Sequence, residues 1–187
     1  LGDASGHGLG PALSATQMQA MLRAVLRTGV SFDQAYVHVN NQLVEDLPDN
    51  RFLTAFVGWL DPRSHRLRYH AGGQGPLLHY RAQTDSVQSY GPSTFPVGVM
   101  ELTAADDAGD IELAPGDVFL VASDGLFEHG NAAGEAFGEQ RVSEVLAEYS
   151  WADASSLRET LIAELAKFAD GHPQSDDITL VILRRET

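Results

Sequence analysis

A chain of 187 residues with 43% hydrophobic content is long enough to bury one sizeable core, and its length gives no reason to expect a second domain. The formal charge of −14, from 26 Asp and Glu against 12 Lys and Arg, argues against nucleic acid or an acidic membrane as partner, because a polyanion meets repulsion instead of releasing counterions. The absence of cysteine removes disulfide frameworks, thiolate zinc sites and cysteine nucleophiles together and suits a reducing cytoplasm, and no apolar run approaches the roughly 20 residues that span a bilayer.

Leu1-Gly2-Asp3 reads as the end of a strand, without an initiator Met, so the reading places further sequence upstream. After the glycine loop Gly6-His7-Gly8-Leu9-Gly10, Pro11 suits a first helical turn. Leu13, Met18, Met21, Leu22, Val25 and Leu26 then recur at helical spacing up to Gly29, which predicts a buried amphipathic helix. Ser31 caps a second helix, with Phe32, Ala35, Tyr36, Val39, Leu43, Val44 and Leu47 on one stripe and Pro48 as its stop.

The period then changes. Phe52 to Leu60 is apolar on both faces, Asp61-Pro62 turns, and Leu67, Tyr69 and Ala71 alternate, which predicts an antiparallel hairpin. Gly72-Gly73-Gln74-Gly75-Pro76 breaks the chain, and Leu77 to Tyr80, Val87 to Tyr90, Ile111 to Leu113 and Val118 to Ser123 read as short strands. Helical spacing returns over Glu139 to Tyr149 and Ala154 to Ala169, and Ile178 to Leu183 reads as a last strand. The loops Thr103 to Gly109 and His129 to Gly138 read as insertions within one domain spanning 1–187.

Three acidic positions share one setting at a strand end: Gly2-Asp3, Ser123-Asp124-Gly125 and Asp176-Asp177. Carboxylates there, flanked by small residues, suit a hard cation such as Mg²⁺ or Mn²⁺ that prefers oxygen ligands. Singly, each has an ordinary explanation, because Asp beside Gly is common turn chemistry and Asp176-Asp177 reads equally as a solvated loop. The recurrence at three apolar strand edges favours the metal reading.

The ordered set Gly2-Asp3-Ala4-Ser5-Gly6-His7-Gly8, Pro96-Val97-Gly98, Gly116-Asp117, Ser123-Asp124-Gly125-Leu126-Phe127-Glu128 and Asp176-Asp177-Ile178-Thr179 resembles the metal-dependent 2C-type (PPM) protein phosphatase family, in its bacterial branch of sporulation stage II E and sigma-factor regulators. The resemblance implies an α+β fold, a four-layer α/β/β/α sandwich of two mainly antiparallel sheets flanked by helix pairs. It implies that Asp3, Asp124 and Asp176 are the catalytic metal-binding carboxylates, that the Ala4 carbonyl is a further ligand, that Asp177 orients the ligands and that His7 shapes the glycine loop.

The implied activity is hydrolysis of phosphoserine or phosphothreonine on an anti-anti-sigma-type regulator, by a water activated between two Mn²⁺ or Mg²⁺ ions and without a phosphoenzyme. A sensor, receiver or coiled-coil segment upstream would control it. The family's first metal aspartate, in a Gly-Gly-Asp motif on preceding strands, has no counterpart here. The expectation is therefore a domain lacking its first strands, holding one Mn²⁺ at most and weakly active or inactive by itself. Ala71-Gly72-Gly73-Gln74-Gly75-Pro76 replaces the usual Ala-Gly-His segment and reads as loop variation.

His38, His65, His70, His79 and His172 lack ligand-like spacing and read as surface histidines, and His129 receives no role. The glycine loop ahead of a helix also invites a dinucleotide-binding reading, but a second helix follows the first and hairpins fill the middle where crossover units would be needed. A phosphatase fold kept as a regulatory binding module is the alternative from another class; three retained aspartates favour catalysis.

Overall fold

The computed structural model describes residues 1–105 and 108–186; Asp106 and Asp107, in the loop predicted at Thr103 to Gly109, and Thr187 lie outside the described residues. The chain is of the mixed α+β class expected, and among the described residues its strands form two four-stranded sheets. By its contacts it divides into two compact units, one of residues 2–74 and 92–111, the other of residues 75–91 and 112–187 with Leu1.

The first unit holds strands β1 (Gly2–Ala4), β2 (Leu53–Asp61), β3 (Arg66–Gly72) and all but the last residue of β6 (Gly109–Glu112), side by side in that order. Helices α1 (Leu9–Val25) and α2 (Phe32–Asp46) are joined by a 3₁₀ turn at Leu26–Thr28. Strand β1 runs antiparallel to β2 with Asp3 opposite Thr54, and the β2–β3 hairpin turns after Asp61 as the sequence predicts. Ser31 caps α2 through a capping box: its Oγ accepts the Gln34 N–H at 3.2 Å and Gln34 Oε1 accepts the Ser31 N–H at 3.2 Å.

Met18, Tyr36, Val39, Leu43, Leu53, Ala55 and Val97 form the unit's core. The 98–102 segment is tied to α2 by two amides. Asn40 Oδ1 accepts the Gly98 N–H at 3.1 Å and its Nδ2 donates to Met100 O at 2.8 Å, while Asn41 Oδ1 accepts the Leu102 N–H at 2.8 Å. The predicted stripe on α1 is narrower than expected, since Met18 is buried but Leu13 is 59% exposed. Trp59 and Leu60, at the far end of the run predicted apolar on both faces, are also exposed.

The second unit holds β4 (Leu77–Arg81), β5 (Ser86–Tyr90), β7 (Val118–Ala122) and β8 (Leu180–Arg184), in the antiparallel order β5-β4-β7-β8. Its helices are α3 (Asp124–Phe127), α4 (Gly138–Glu148) and α5 (Ala154–Ala169). On α5, Leu157, Leu161 and Leu165 recur every fourth residue and all are buried, worth about 1.5–3 kcal/mol each by transfer. Asp153 caps the helix by accepting the N–H groups of Ser155 at 2.9 Å and Ser156 at 3.0 Å, and Gly171, with φ of 83°, follows its end.

Two histidines read as surface residues are core residues. His70 is 0% exposed and stacks on Tyr36 at 4.4 Å between ring centroids, with Nε2 2.9 Å from Asp33 Oδ1. His79 is 3% exposed, with Nε2 3.0 Å from Asp117 Oδ2. Asp117 also accepts the N–H groups of Ala82 at 2.8 Å and Ala114 at 3.0 Å, so the buried pair locks turns onto the β4–β7 ladder. Each histidine alternates with apolar neighbours on its strand and meets a carboxylate at Nε2, Asp33 being shared with Arg68, while Nδ1 of each ring is buried without a hydrogen-bond partner.

Burial holds both imidazoles below their ordinary pKa, outweighing the opposing pull of Asp33 and Asp117. Because the folded-state pKa is depressed, protons bind preferentially to the unfolded chain. Stability is therefore fully present above about pH 6.5 and falls as pH drops below it, by about 1.4 kcal/mol per pH unit for each imidazole that protonates only on unfolding. Urea unfolding at pH 7 and pH 5 checks this, and replacing His79 by Gln is expected to remove part of the drop.

Candidate functional site

Strand β7 is buried along its whole length and ends at Ser123, from which the one-turn helix α3 starts with Asp124 at its first residue. The end of the strand therefore delivers an exposed carboxylate from a rigid support, at a helix start where negative charge is favoured. Ser123 makes the decisive local connection. Its Oγ donates to the carbonyl of Asp177 at 3.0 Å and accepts the N–H of Thr179 at 3.0 Å, while its own N–H donates to Thr179 O at 3.0 Å. These bonds hold the Asp176-Asp177 loop against the Asp124 turn.

Gly125 permits that approach. A Cβ at this position would collide with the carbonyl oxygen of Asp177 and would lie 3.0 Å from its carbonyl carbon. Asp124 Oδ1 accepts the N–H of Gly125 at 2.8 Å, and Asp176 Oδ1 accepts the N–H of Asp177 at 2.7 Å. No Lys or Arg pairs with either carboxylate among the described residues. Two exposed carboxylates on backbones pressed together, unneutralised by a side-chain cation, fit the oxygen-donor chemistry of Mg²⁺ or Mn²⁺. They are not a finished site by themselves: among the described residues no group of three His, Asp or Glu side chains is arranged to hold an ion.

The remaining predicted residues lie in the first unit. Asp3 is exposed on β1, and Ala4 follows it opposite Leu53. His7 is exposed in the glycine loop, where Gly6 and Gly8 take φ of 88° and 90°, in the left-handed range that favours glycine. The loop is fastened by Ser5, whose N–H donates to Phe52 O at 2.9 Å and whose Oγ accepts the Phe52 N–H at 3.0 Å.

That pairing sets Arg51 beside the loop. Its guanidinium lies against Gly10, where a Cβ would stand 2.7 Å from the nearest nitrogen. It forms no ion pair among the described residues and lines a pocket of about 430 Å³ with Leu47, Asp49, Phe52 and Val99. The sequence places Ser123 in the motif but assigns it no role, and it does not single out Arg51, whose signal is a cation just ahead of the strand that pairs with Asp3.

The model of the family described as stage II sporulation protein E (SpoIIE) matches residues 1–186. The chain belongs to the SpoIIE family. As a SpoIIE-family chain it is 22% identical over 187 residues to phosphoserine phosphatase RsbU of Bacillus subtilis, covering 100% of this chain and 55% of that protein, so it spans about half the length of that relative. Its fold is that of the SiaA-PP2C domain of Pseudomonas aeruginosa, with a TM-score of 0.81 and 23% identity over 99% of this chain and 73% of that one. The structure of the RsbU and RsbW domains of a Mycobacterium tuberculosis protein matches with a TM-score of 0.74 and 23% identity, over 99% of this chain and 50% of that one. The resemblance to the 2C-type phosphatases read from the motifs is thereby borne out.

Proposed function

We propose that this SpoIIE-family chain forms a metal-dependent phosphatase domain over 1–187 that removes phosphate from phosphoserine or phosphothreonine on a regulatory protein. The observation that carries the proposal is the Ser123 clamp, which holds Asp176 and Asp177 against Asp124. A loop needed only to turn the chain has no use for a buried serine bonded to both of its sides. Membership of the family and the likeness to a phosphoserine phosphatase support the reaction class. A relative that carries an RsbW domain beside its RsbU domain supports a regulatory protein as substrate, which the proposal takes to be of the anti-anti-sigma kind.

In this proposal Asp3, the Ala4 carbonyl, Asp124 and Asp176 are the metal ligands. Bound Mn²⁺ or Mg²⁺ supplies Lewis acidity toward the phosphoryl oxygens and lowers the pKa of water. The protein's own contribution is positional. Ser123 and Gly125 fix the loop of Asp176, Asp177 holds its backbone through the carbonyl bonded to Ser123, and the Ser5–Phe52 pairing fixes the loop after Asp3 that carries His7.

Arg51 supplies a positive charge beside that loop to hold phosphoryl oxygens, which offsets the repulsion a protein of charge −14 exerts on a phosphorylated substrate. Arg51→Ala is expected to raise KM for a phosphoserine peptide by about 10-fold, the loss of one charge-assisted hydrogen bond, with a smaller change in kcat. Steady-state kinetics on the two proteins separates these effects.

The test of the function is phosphate release from a phosphoserine regulator protein, measured with Mn²⁺ and again with excess chelator. Release that requires Mn²⁺ supports the proposal. Tight binding of the phosphoprotein without release from it or any other phosphoprotein would move the assignment to the regulatory-module alternative. Among the described residues no helix is long and apolar enough to cross a membrane.

A further inference from the structure

A second pocket, of about 440 Å³, lies in the second unit beside the loop that carries Asp176. Ile162, Leu165 and Ala166 of α5 and Ile178 form its apolar walls, and His129, His172 and Gln174 supply polar groups. No Asp, Glu, Lys or Arg lines it, in a chain with 26 acidic residues. His129 is 5% exposed, and its imidazole makes no hydrogen bond among the described residues. Neither ring nitrogen of His129 is sealed from solvent without a partner, as Nδ1 of His70 and of His79 is, so a ligand entering the pocket meets an imidazole open to donate or accept a hydrogen bond.

The pocket and the candidate metal loop share a wall. Gln174 and Ile178 bracket Asp176 and Asp177, and Gln174 Nε2 donates to the carbonyl of Asp176 at 2.7 Å. Two residues of chain span at most about 7 Å. An extended segment whose phosphoserine reaches Asp176 therefore has side chains two or three positions away within reach of the pocket.

We propose that this pocket receives an apolar side chain of the phosphoprotein substrate, two or three residues from the phosphoserine, with His129 hydrogen-bonding the adjoining peptide backbone. This rests on the phosphatase reading for the identity of the occupant. A pocket without carboxylates beside a phosphate site accepts a segment that carries a phosphate dianion, whereas the acidic surface elsewhere repels it. The apolar walls select against charge at the anchor position, so the pocket would set which phosphoserines are removed.

The test uses phosphoserine peptides with a single Leu two or three positions to either side, and counterparts with Asp in its place. Binding is read by fluorescence anisotropy, and hydrolysis of p-nitrophenyl phosphate, which has no peptide to anchor, is measured in parallel. At least one Leu peptide is expected to bind about 10-fold more tightly than its Asp counterpart, as burial of one aliphatic side chain gives. Ala166→Phe fills the pocket from an exposed helix position and is expected to abolish that preference while leaving p-nitrophenyl phosphate hydrolysis unchanged; Ile162→Ser, also exposed, is expected to weaken it. Equal binding of Leu and Asp peptides, or a preference that survives Ala166→Phe, overturns the proposal. A preference lost in Ala166→Phe from a protein that hydrolyses nothing would uphold the pocket and overturn the phosphatase reading instead.

Discussion

Phosphate release by an Asp124→Ala protein is expected to be lower by about 1,000-fold in Mn²⁺, a loss of roughly 4 kcal/mol in transition-state stabilisation. The size of the effect follows from what the carboxylate does. It is exposed at the end of a fully buried strand, lacks a cationic partner among the described residues, and keeps only one short hydrogen bond, to the N–H of Gly125. Stability should change little, because the deleted group is solvated and buries no apolar surface. Asp124→Asn retains that hydrogen bond and removes the charge, so it should be nearly as inactive. A rate within about 2-fold of the unaltered protein would show that the carboxylate takes no part.

Gly125→Ala should also have a large effect, for a different reason. The added methyl collides with the Asp177 carbonyl and lies 3.4 Å from that of Asp176, and both obstacles are backbone that cannot rotate away. The loop must move off the β7 end and strain or break the Ser123 bonds. Overpacking of this kind costs about 1–3 kcal/mol, which for a chain of this size lowers the melting temperature by about 2–4 °C per kcal/mol. Displacing a ligand's support should also weaken Mn²⁺ binding by about 10- to 100-fold. Gly91→Ala, where a Cβ meets nothing within 4 Å, is the control and should change neither quantity.

The legible parts of the fold were those with a strong period or a stop. Helix α5 lies over the residues its leucine spacing marks, and α2 begins after the Ser31 cap and ends just short of Pro48. The last strand begins later than its apolar run suggests, because the backbone at Ile178-Thr179 is engaged by Ser123 before pairing with β7 starts. Helix α3 was not anticipated, since one turn of Asp124–Phe127 is too short to show a period.

In the candidate site, the acidic positions stood out because carboxylates at apolar strand ends are conspicuous. The groups that support them did not. Ser123 looks like any turn serine until its partners 54 and 56 residues away are seen, and Arg51 acquires its meaning from Gly10 across the chain. His70 and His79 misled for a related reason, because burial of an imidazole depends on partners that no local pattern records.

In the proposed function Asp124 and Asp176 are carboxylates of one metal site. Its most direct test is titration of Mn²⁺ into the protein, followed by the electron paramagnetic resonance signal of the free ion, with Asp124→Asn and Asp176→Asn titrated alongside. The expected result is bound Mn²⁺ in the unaltered protein and affinity lower by at least about 10-fold in each variant. Equal stoichiometry and affinity in all three proteins would contradict the account.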